Sequence, residues 1–228
     1  MTTSIDGNGA AREAILGRVK AALGRREGDA QARAQAYVAA HAHGPRPTLP
    51  ADLVQAFVAQ ARHMESTVER IASLAEVPAA VARYLDALEL PARIAEQKSH
   101  AGVCWPEFAG LDWQGAGLAV EARPTQGADR LGITGALCAI AETGTLVVVS
   151  SPCTPTATTL LPDTHVAVLS ARDIVAGMEE AFARVRALPD GMPRAANLIS
   201  GPSRTGDIEQ TIVLGAHGPY RVHILLLP

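Results

Sequence analysis

Aromatic residues are scarce in this sequence of 228 residues, where they make up only 4%. This scarcity argues against a nucleobase-stacking platform and against a sugar site lined with Trp. A basic surplus is also missing, because 20 Lys and Arg residues face 23 Asp and Glu residues, which excludes a strongly basic nucleic-acid binder. Hydrophobic residues make up 48% and charged residues 19%. This balance excludes a disordered chain and leaves Ala, Val, Leu and Ile to fill the core.

Long hydrophobic runs are lacking as well. The longest apolar stretches, at 146–149 and 224–227, are far too short to span a bilayer. Residues 1–11 contain no basic segment followed by an apolar run, which would mark a secretory signal. We therefore expect a cytoplasmic protein without a membrane span.

Cysteine occurs only at Cys104, Cys138 and Cys153, without a C-x-x-C pair. An iron–sulfur cluster held only by cysteine needs four thiolates, which this chain cannot supply. We expect three small, buried or half-buried thiols, no disulfide framework and no cofactor in this chain. Metal binding is not expected either, because no compact set of carboxylates or thiols accompanies His41 and His43.

The pattern of apolar residues changes near residue 66. Residues 1–65 are Ala-rich and helical in pattern, with a break at the proline-containing segment 43–47, and predict an N-terminal helical extension. Residues 66–228 alternate short apolar strands with helices. This alternation predicts an α/β domain with a largely parallel sheet covered by helices.

The predicted elements of the second segment are short. Helices are expected at 77–88, 133–140 and 173–188, and the last has the clearest amphipathic stripe. Strands are expected at 66–72, 93–96, 117–122, 145–150, 165–169, 195–200, 210–214 and 221–227.

A first polar, glycine-containing stretch precedes the strongest predicted strand. Glu142 is placed to act as a general base, a nucleophile or a hydrogen-bonding ligand. Thr143 and Thr145 add hydroxyls, and Gly144 allows close approach of the backbone to a ligand. The alternative is a structural turn in which Glu142 caps backbone amides.

A second stretch, 200–210, follows a predicted strand, where ligands bind in open α/β sheets. Arg204 supplies a planar cation beside the hydroxyls of Ser203 and Thr205, and Gly201 frees the backbone N–H groups. Together these groups suit a carboxylate or a phosphate. The alternative is a structural loop in which Arg204 forms an ion pair with Asp207 or Glu209. These two acidic residues are also candidates for the ligand site.

Three further residues are weaker candidates. His217 lies in a Gly/Pro turn and could exchange protons near neutral pH, although a histidine in such a turn is more often structural. Trp105 and Trp113 flank a glycine-containing loop, where they either close a pocket or cover the core.

Five motifs stand out along the second segment: ITGA at 133–136, AETGT at 141–145, LP at 161–162 with His165, SGPSRTGDIEQT at 200–211 and LGAHGP at 214–219. Together they resemble those of the lactate-utilization protein C family, with its LUD domain. The resemblance covers about 66–228 and is clearest from Asp129 onward. One small departure is Gly206, where Ala is expected in many relatives.

The resemblance implies a fold related to the ribose-5-phosphate isomerase, glucosamine-6-phosphate deaminase and CoA-transferase group. It also implies a role in the oxidation of L-lactate to pyruvate beside two iron–sulfur partner proteins. The cysteine count is compatible, because any such cluster would then belong to a partner. Whether the chain is itself an enzyme is not decided by this family.

We therefore expect a subunit of an L-lactate-oxidising system that binds a small anionic ligand through Arg204, Ser203 and Thr205, with Glu142 facing the same pocket. One alternative is an independent enzyme acting on a phosphorylated or CoA-linked small molecule. Another is a non-catalytic assembly module whose Ala-rich helices dock the redox subunits. A homo-oligomer is compatible with each of these functions.

Overall fold

The structure, a computed structural model, describes residues 7–23, 29–40, 44–89, 100–208, 211–215 and 217–228. The chain forms two compact units, Met1–Arg46 and Pro47–Pro228. The first unit contains helices α1 (Gly7–Leu23) and α2 (Asp29–Ala40), which confirms the helical N-terminal region. The predicted domain boundary at residue 66 stays a prediction.

The second unit begins with helix α3 (Leu53–His63), which is capped by Asp52 through a 2.9 Å hydrogen bond from the backbone N–H of Gln55. Phe57 and Ala61 on this helix are fully buried in the main core. Helix α3 therefore packs within the second unit, although its sequence falls in the predicted extension.

Two more helices and twelve strands are present among the described residues. Helix α4 spans Val77–Asp86 and helix α5 spans Met178–Arg186. The strands are β1 (Thr67–Arg70), β2 (Ala101–Cys104), β3 (Ala119–Ala122), β4 (Leu131–Gly135), β5 (Cys138–Ile140), β6 (Thr145–Val149), β7 (Thr164–Ser170), β8 (Ile174–Val175), β9 (Ala196–Ile199), β10 (Arg204–Ile208), β11 (Thr211–Leu214) and β12 (Arg221–Leu227).

The main sheet has six strands in the order β1-β12-β7-β4-β2-β3, and each neighbouring pair is parallel. Two of its central strands, β7 and β12, contain continuous apolar runs at 166–169 and 224–227, as expected for strands covered on both faces. Ile133 in β4, Val166 in β7 and Ile224 in β12 are fully buried. The predicted α/β fold with a largely parallel sheet is thus confirmed.

A second sheet has the order β8-β5-β6-β9, in which β5–β6 and β6–β9 are antiparallel. Helix α5 packs on this sheet through Ala181 and Val185. Strands β10 and β11 form a separate antiparallel hairpin. No described helix is long and apolar enough to cross a bilayer.

Three predicted elements differ from the structure. The predicted helix at 133–140 is wrong, because this segment forms the end of β4 and all of β5; its β-branched residues and the glycines at 132 and 135 favour strands over a helix. The predicted helix at 173–188 begins only at Met178, because Gly177 caps it and β8 pairs with β5. The expected loop at 200–210 is short, since β10 begins at Arg204. The predicted strand at 93–96 lies outside the described residues.

Candidate functional site

Two of the motif glycines pack against the carboxyl end of α3. Gly144, in the turn between β5 and β6, has a φ of 66°, and Gly201, after β9, has a φ of 82°. A Cβ atom on Gly144 would lie 2.5 Å from the backbone nitrogen of Ala61, and one on Gly201 would overlap the carbonyl oxygen of Met64. The two predicted loops therefore meet at the end of one helix, and both glycines are needed for that contact.

A chain of hydroxyl groups connects the same two loops. The hydroxyl oxygens of Thr143 and Thr145 are 2.7 Å apart, and the Thr145 hydroxyl lies 2.7 Å from that of Ser200. Thr145 is buried, so these hydrogen bonds satisfy polar atoms that would otherwise be costly to bury. The arrangement holds β6 and β9 together at this end of the second sheet.

Glu142 lies in the turn between β5 and β6, beside the amino end of α5. Its backbone N–H donates a 3.1 Å hydrogen bond to the carbonyl oxygen of Ala176. Its Oε2 atom lies 3.1 Å from the position that a Cβ atom on Gly177 would occupy. Glu142 is half-buried there, and its predicted catalytic role stays a prediction.

The predicted anion-binding residues occupy the start of β10. Arg204 forms an ion pair with Glu65, which follows α3, and both side chains are partly exposed. Ser203 donates its backbone N–H to Pro219 at 2.9 Å, and Thr205 is buried. Glu209 lies outside the described residues, and only the backbone of Asp207 is described. The acid found beside Arg204 thus comes from outside the motif.

The Gly/Pro turn after β11 closes onto the same strand. Gly215 has a φ of 74°, and its backbone N–H donates a 2.9 Å hydrogen bond to the carbonyl oxygen of Ser203. His217 is exposed, and its proposed proton-transfer role is a prediction. Backbone hydrogen bonds between this turn and Ser203 fix the start of β10.

A cleft of about 370 Å³ lies at the carboxyl ends of the central parallel strands. Pockets of this size are typical of small-molecule sites, and this edge of an open α/β sheet is the usual place for a ligand. The residues that line it are Leu74, Trp105, Glu107, Phe108, Gly135, Ala136, Leu137, Val149, Thr154, Val168, Ser170, Asp173 and Leu227.

Glu107 is one of the two acids among the described residues that line this cleft. A 3₁₀ turn, Pro106–Phe108, directly follows β2 and brings the carboxyl group over the end of β4. A Cβ atom on Gly135 would lie 2.6 Å from Glu107 Oε1 and 3.8 Å from Trp105 Cζ3. Burial of its carboxyl group raises the pKa of Glu107, and a backbone hydrogen bond from Gly135 partly offsets this rise.

The other polar groups on the cleft wall have partners. The Trp105 indole N–H donates to the carbonyl oxygen of Pro155 at 3.3 Å, and Thr154 donates to that of Val149 at 2.9 Å. Asp173 accepts a 2.9 Å hydrogen bond from Arg184. Glu107 is therefore the acid in the cleft wall for which the structure shows no cationic partner among the described residues.

Glu107 is not among the candidates that the sequence indicated. Of the two tryptophans that it did indicate, Trp105 lines the cleft, whereas Trp113 is buried and donates its indole N–H to the carbonyl oxygen of Phe108 at 3.0 Å. The available signal for Glu107 was its position one residue beyond Pro106, just after a strand that ends at the carboxyl edge. Because the sequence did not predict β2, this position did not mark Glu107 as a candidate.

The thiols and histidines do not form a metal site in the part of the chain described. No group of three or more His, Cys, Asp and Glu side chains suitable for a metal ion occurs there. Cys104 and Cys138 are buried, and burial raises the pKa of each thiol to about 11. Cys153 is exposed, unlike the buried or half-buried position that we expected, because it lies in a tight surface turn with Ser151.

Comparison with known proteins places these features in a family. Residues 107–227 match the LUD domain. An uncharacterized protein of Neisseria meningitidis serogroup B is 40% identical over 96 residues, which cover 42% of this chain and 41% of the relative. Lactate utilization protein C of Exiguobacterium is 37% identical over 100 residues, covering 42% of this chain and 44% of the relative. The same-named protein of Bacillus subtilis is 36% identical over 100 residues, covering 42% of each.

These alignments span less than half the length of the relatives. A solved structure of a DUF162 family protein from Deinococcus radiodurans superposes with a TM-score of 0.54, covering 80% of this chain and all of that chain. The sequence identity of the pair is 24%. This similarity supports the α/β fold.

Proposed function

This chain belongs to the LUD domain family, and from this membership we propose that it acts in lactate utilization as a subunit of a system that oxidises L-lactate to pyruvate. The observation that carries the proposal is the match to the LUD domain together with relatives named lactate utilization protein C. Oxidation of the lactate hydroxyl to a ketone releases two protons and two electrons, so the system needs an electron acceptor.

The proposed acceptors are iron–sulfur clusters in two partner proteins. This chain has three cysteines, whereas a cluster held only by cysteine needs four thiolates. Two of these thiols are buried, and their raised pKa keeps them protonated at neutral pH, which makes them poor metal ligands. The redox centres are therefore assigned to the partners.

The proposed ligand contact of this chain is Arg204. Its guanidinium group is partly exposed and has a surface partner, Glu65. Exposed ion pairs contribute only about 0 to 1 kcal/mol, so the carboxylate of a small anion can replace that of Glu65. The Ser203 hydroxyl completes the proposed contact, and the predicted contribution of the Thr205 hydroxyl, whose residue is buried, stays a prediction.

Co-purification tests the proposed partners. The full chain, tagged and expressed in its own host during growth on L-lactate, should recover two cysteine-rich iron–sulfur proteins, identified by mass spectrometry. The same tagged chain from cells grown without lactate is the control. Recovery of neither protein would contradict the subunit role and favour an independent enzyme.

A second proposed role, docking of those partners by the first unit, is favoured by the exposure of its apolar side chains. Ile15 and Val19 on α1 are 55% and 48% exposed, and Tyr37 on α2 is 74% exposed. A helix as short as α2, with 12 residues, is marginal in water without packing, so a protein surface that covers it would stabilise it. Deletion of residues 1–45 should abolish co-purification of the partners, whereas Arg204→Ala should preserve it. Retained partners after the deletion would contradict docking by this unit.

A further inference from the structure

The cleft at the carboxyl ends of β2, β4, β7 and β12 differs in charge from the anion contact proposed at Arg204. None of the described residues that line it is Lys, Arg or His, and two are acids, Glu107 and Asp173. Asp173 is neutralised by Arg184 at 2.9 Å. When ionised, Glu107 therefore supplies the cleft with one negative charge that no cation among the described lining residues offsets. A lactate or phosphate ion would meet repulsion here rather than a partner.

The surroundings of Glu107 leave space for a hydrogen-bond donor. Gly135 lacks a side chain at the point where a Cβ atom would contact Glu107 Oε1 and the Trp105 ring. A ligand atom that approaches over Gly135 therefore reaches the carboxylate and the edge of the indole together. Burial disfavours the ionised carboxylate, and a positive charge placed next to it would relieve that cost.

The rest of the wall is apolar. Beyond the two acids and the hydroxyls of Thr154 and Ser170, the lining consists of aliphatic, aromatic and glycine residues. The two hydroxyls already donate hydrogen bonds, from Thr154 to the Val149 carbonyl oxygen and from Ser170 to that of Pro228, both at 2.9 Å. The wall therefore suits a hydrocarbon body, and one end of that body has a carboxylate and an aromatic ring for a cation.

We propose that this cleft is a binding site for a small organic ammonium compound, with the ammonium group on Glu107 beside Trp105 and the apolar body on the Phe108 and Val168 side. The site is independent of the proposed role in lactate utilization, because its ligand has the opposite charge to lactate. Failure of either proposal leaves the other intact.

The two tryptophans of the chain provide a direct readout. Trp105 lines the cleft, whereas Trp113 is buried in the core, so the dispersed indole N–H signal of Trp113 in a ¹H–¹⁵N spectrum reports that the protein is folded. The probes are n-butylammonium, the neutral 1-butanol and the anionic butyrate, which share the same hydrocarbon chain. Titration of the full chain with n-butylammonium should shift the Trp105 signal to saturation. A smaller shift of the Trp113 signal is expected, because its N–H donates to the carbonyl oxygen of Phe108 in the cleft wall.

Glu107→Gln should weaken n-butylammonium binding by about tenfold or more, since it removes a charge-assisted hydrogen bond. Gly135→Ala, which adds a methyl group over the carboxylate, should also weaken it. Glu121→Gln, on the exposed edge strand β3, is the matched control and should bind as the unchanged chain does. The proposal is overturned if n-butylammonium gives no saturable shift, if butanol or butyrate binds as tightly, or if Glu107→Gln retains full affinity in a protein whose Trp113 signal shows it to be folded.

Discussion

The guanidinium group of Arg204 pairs with the carboxylate of Glu65, which directly follows the last turn of α3 and has a φ of 64°. The Arg204 side chain is 40% exposed and that of Glu65 61% exposed, so water and dissolved anions reach the pair. Arg204, which the sequence indicates as an anion-binding residue, is thus paired with Glu65. Nothing in the sequence indicated this pairing. Glu65 is placed to compete with any anionic ligand of Arg204.

Replacement of that acid should strengthen anion binding. Glu65→Gln removes the competing charge and leaves the backbone at position 65 unchanged, so L-lactate and inorganic phosphate should bind about two- to fivefold more tightly. Arg204→Ala should remove this binding. Isothermal titration calorimetry at low ionic strength measures both.

The control for this prediction is Glu69→Gln. Glu69 forms a comparable surface ion pair with Arg83, and its loss should leave anion affinity unchanged. Equal affinity in the Glu65→Gln variant and the unchanged chain would remove Arg204 as the anion contact.

The motif glycines at the end of α3 should tolerate no side chain. Gly144→Ala and Gly201→Ala each place a Cβ atom in a left-handed conformation and against the α3 backbone. Each should lower the free energy of unfolding by about 2 kcal/mol or more. Gly110→Ala, where nothing lies within 4 Å of the added atom, should change it little. Urea denaturation measures the three variants, and a loss at Gly201 no larger than at Gly110 would contradict this packing.

The sequence predicted the parallel sheet because the cores of β7 and β12 are short, continuous apolar runs, a local signal. Strand β6 gives the same signal but lies in the second sheet, where both of its neighbours are antiparallel. The sequence did not predict β4 and β5, because the spacing of the apolar residues at 133–140 also fits a helix. The segment forms strands because β4 pairs with β7 and β5 pairs with β6. Tertiary contacts of this kind are not present in local periodicity.

In the candidate sites, too, the sequence indicated local features but not the contacts between distant segments. The sequence indicated the loops that contain Gly144 and Gly201, since glycine and hydroxyl residues cluster there. It did not show that both loops pack on α3, or that Glu65 reaches Arg204, because these contacts join segments more than 70 residues apart along the chain. The exposure of Glu107 to the cleft likewise depends on the neighbouring strand β4.

Two buried histidines should make the fold sensitive to mild acid. Burial lowers the pKa of His165 and of His223 from an ordinary value of 6.5 to about 4. The unfolded chain takes up these protons near pH 6.5 and the folded chain only near pH 4. The stability that each neutral ring provides is therefore complete above pH 6.5 and is lost as the pH falls toward 4.

At about 1.4 kcal/mol per pKa unit, each histidine contributes up to roughly 3 kcal/mol to this loss. The charged and titratable groups near His223 are Glu69, at 3.8 Å, and Tyr84, whose ring stacks on it; Thr134 contacts His165 at 2.8 Å. Urea denaturation between pH 7 and 5 measures the loss of unfolding free energy. Ordinary carboxylates remain ionised in this pH range. Constant stability over this range would contradict the burial of both rings as neutral species.

Glu107→Gln should stabilise the protein near neutral pH. Because burial raises the pKa of Glu107, the folded chain holds that proton more tightly than the unfolded chain, and stability falls as the pH rises through the raised pKa. A neutral glutamine avoids this loss. The variant should melt at a higher temperature than the unchanged chain near neutral pH, and the difference should disappear in acid. A lower melting temperature of the variant near neutral pH would contradict the conclusion that burial destabilises the ionised carboxylate of Glu107.

The central claim, a role in lactate utilization, is tested most directly by the conversion of L-lactate to pyruvate in the cells that encode this chain. Deletion of its gene should abolish L-lactate consumption and pyruvate formation while growth on a carbon source other than lactate continues. Restoration of the unchanged chain should recover both. Undiminished conversion of L-lactate to pyruvate in the deletion strain would contradict the account.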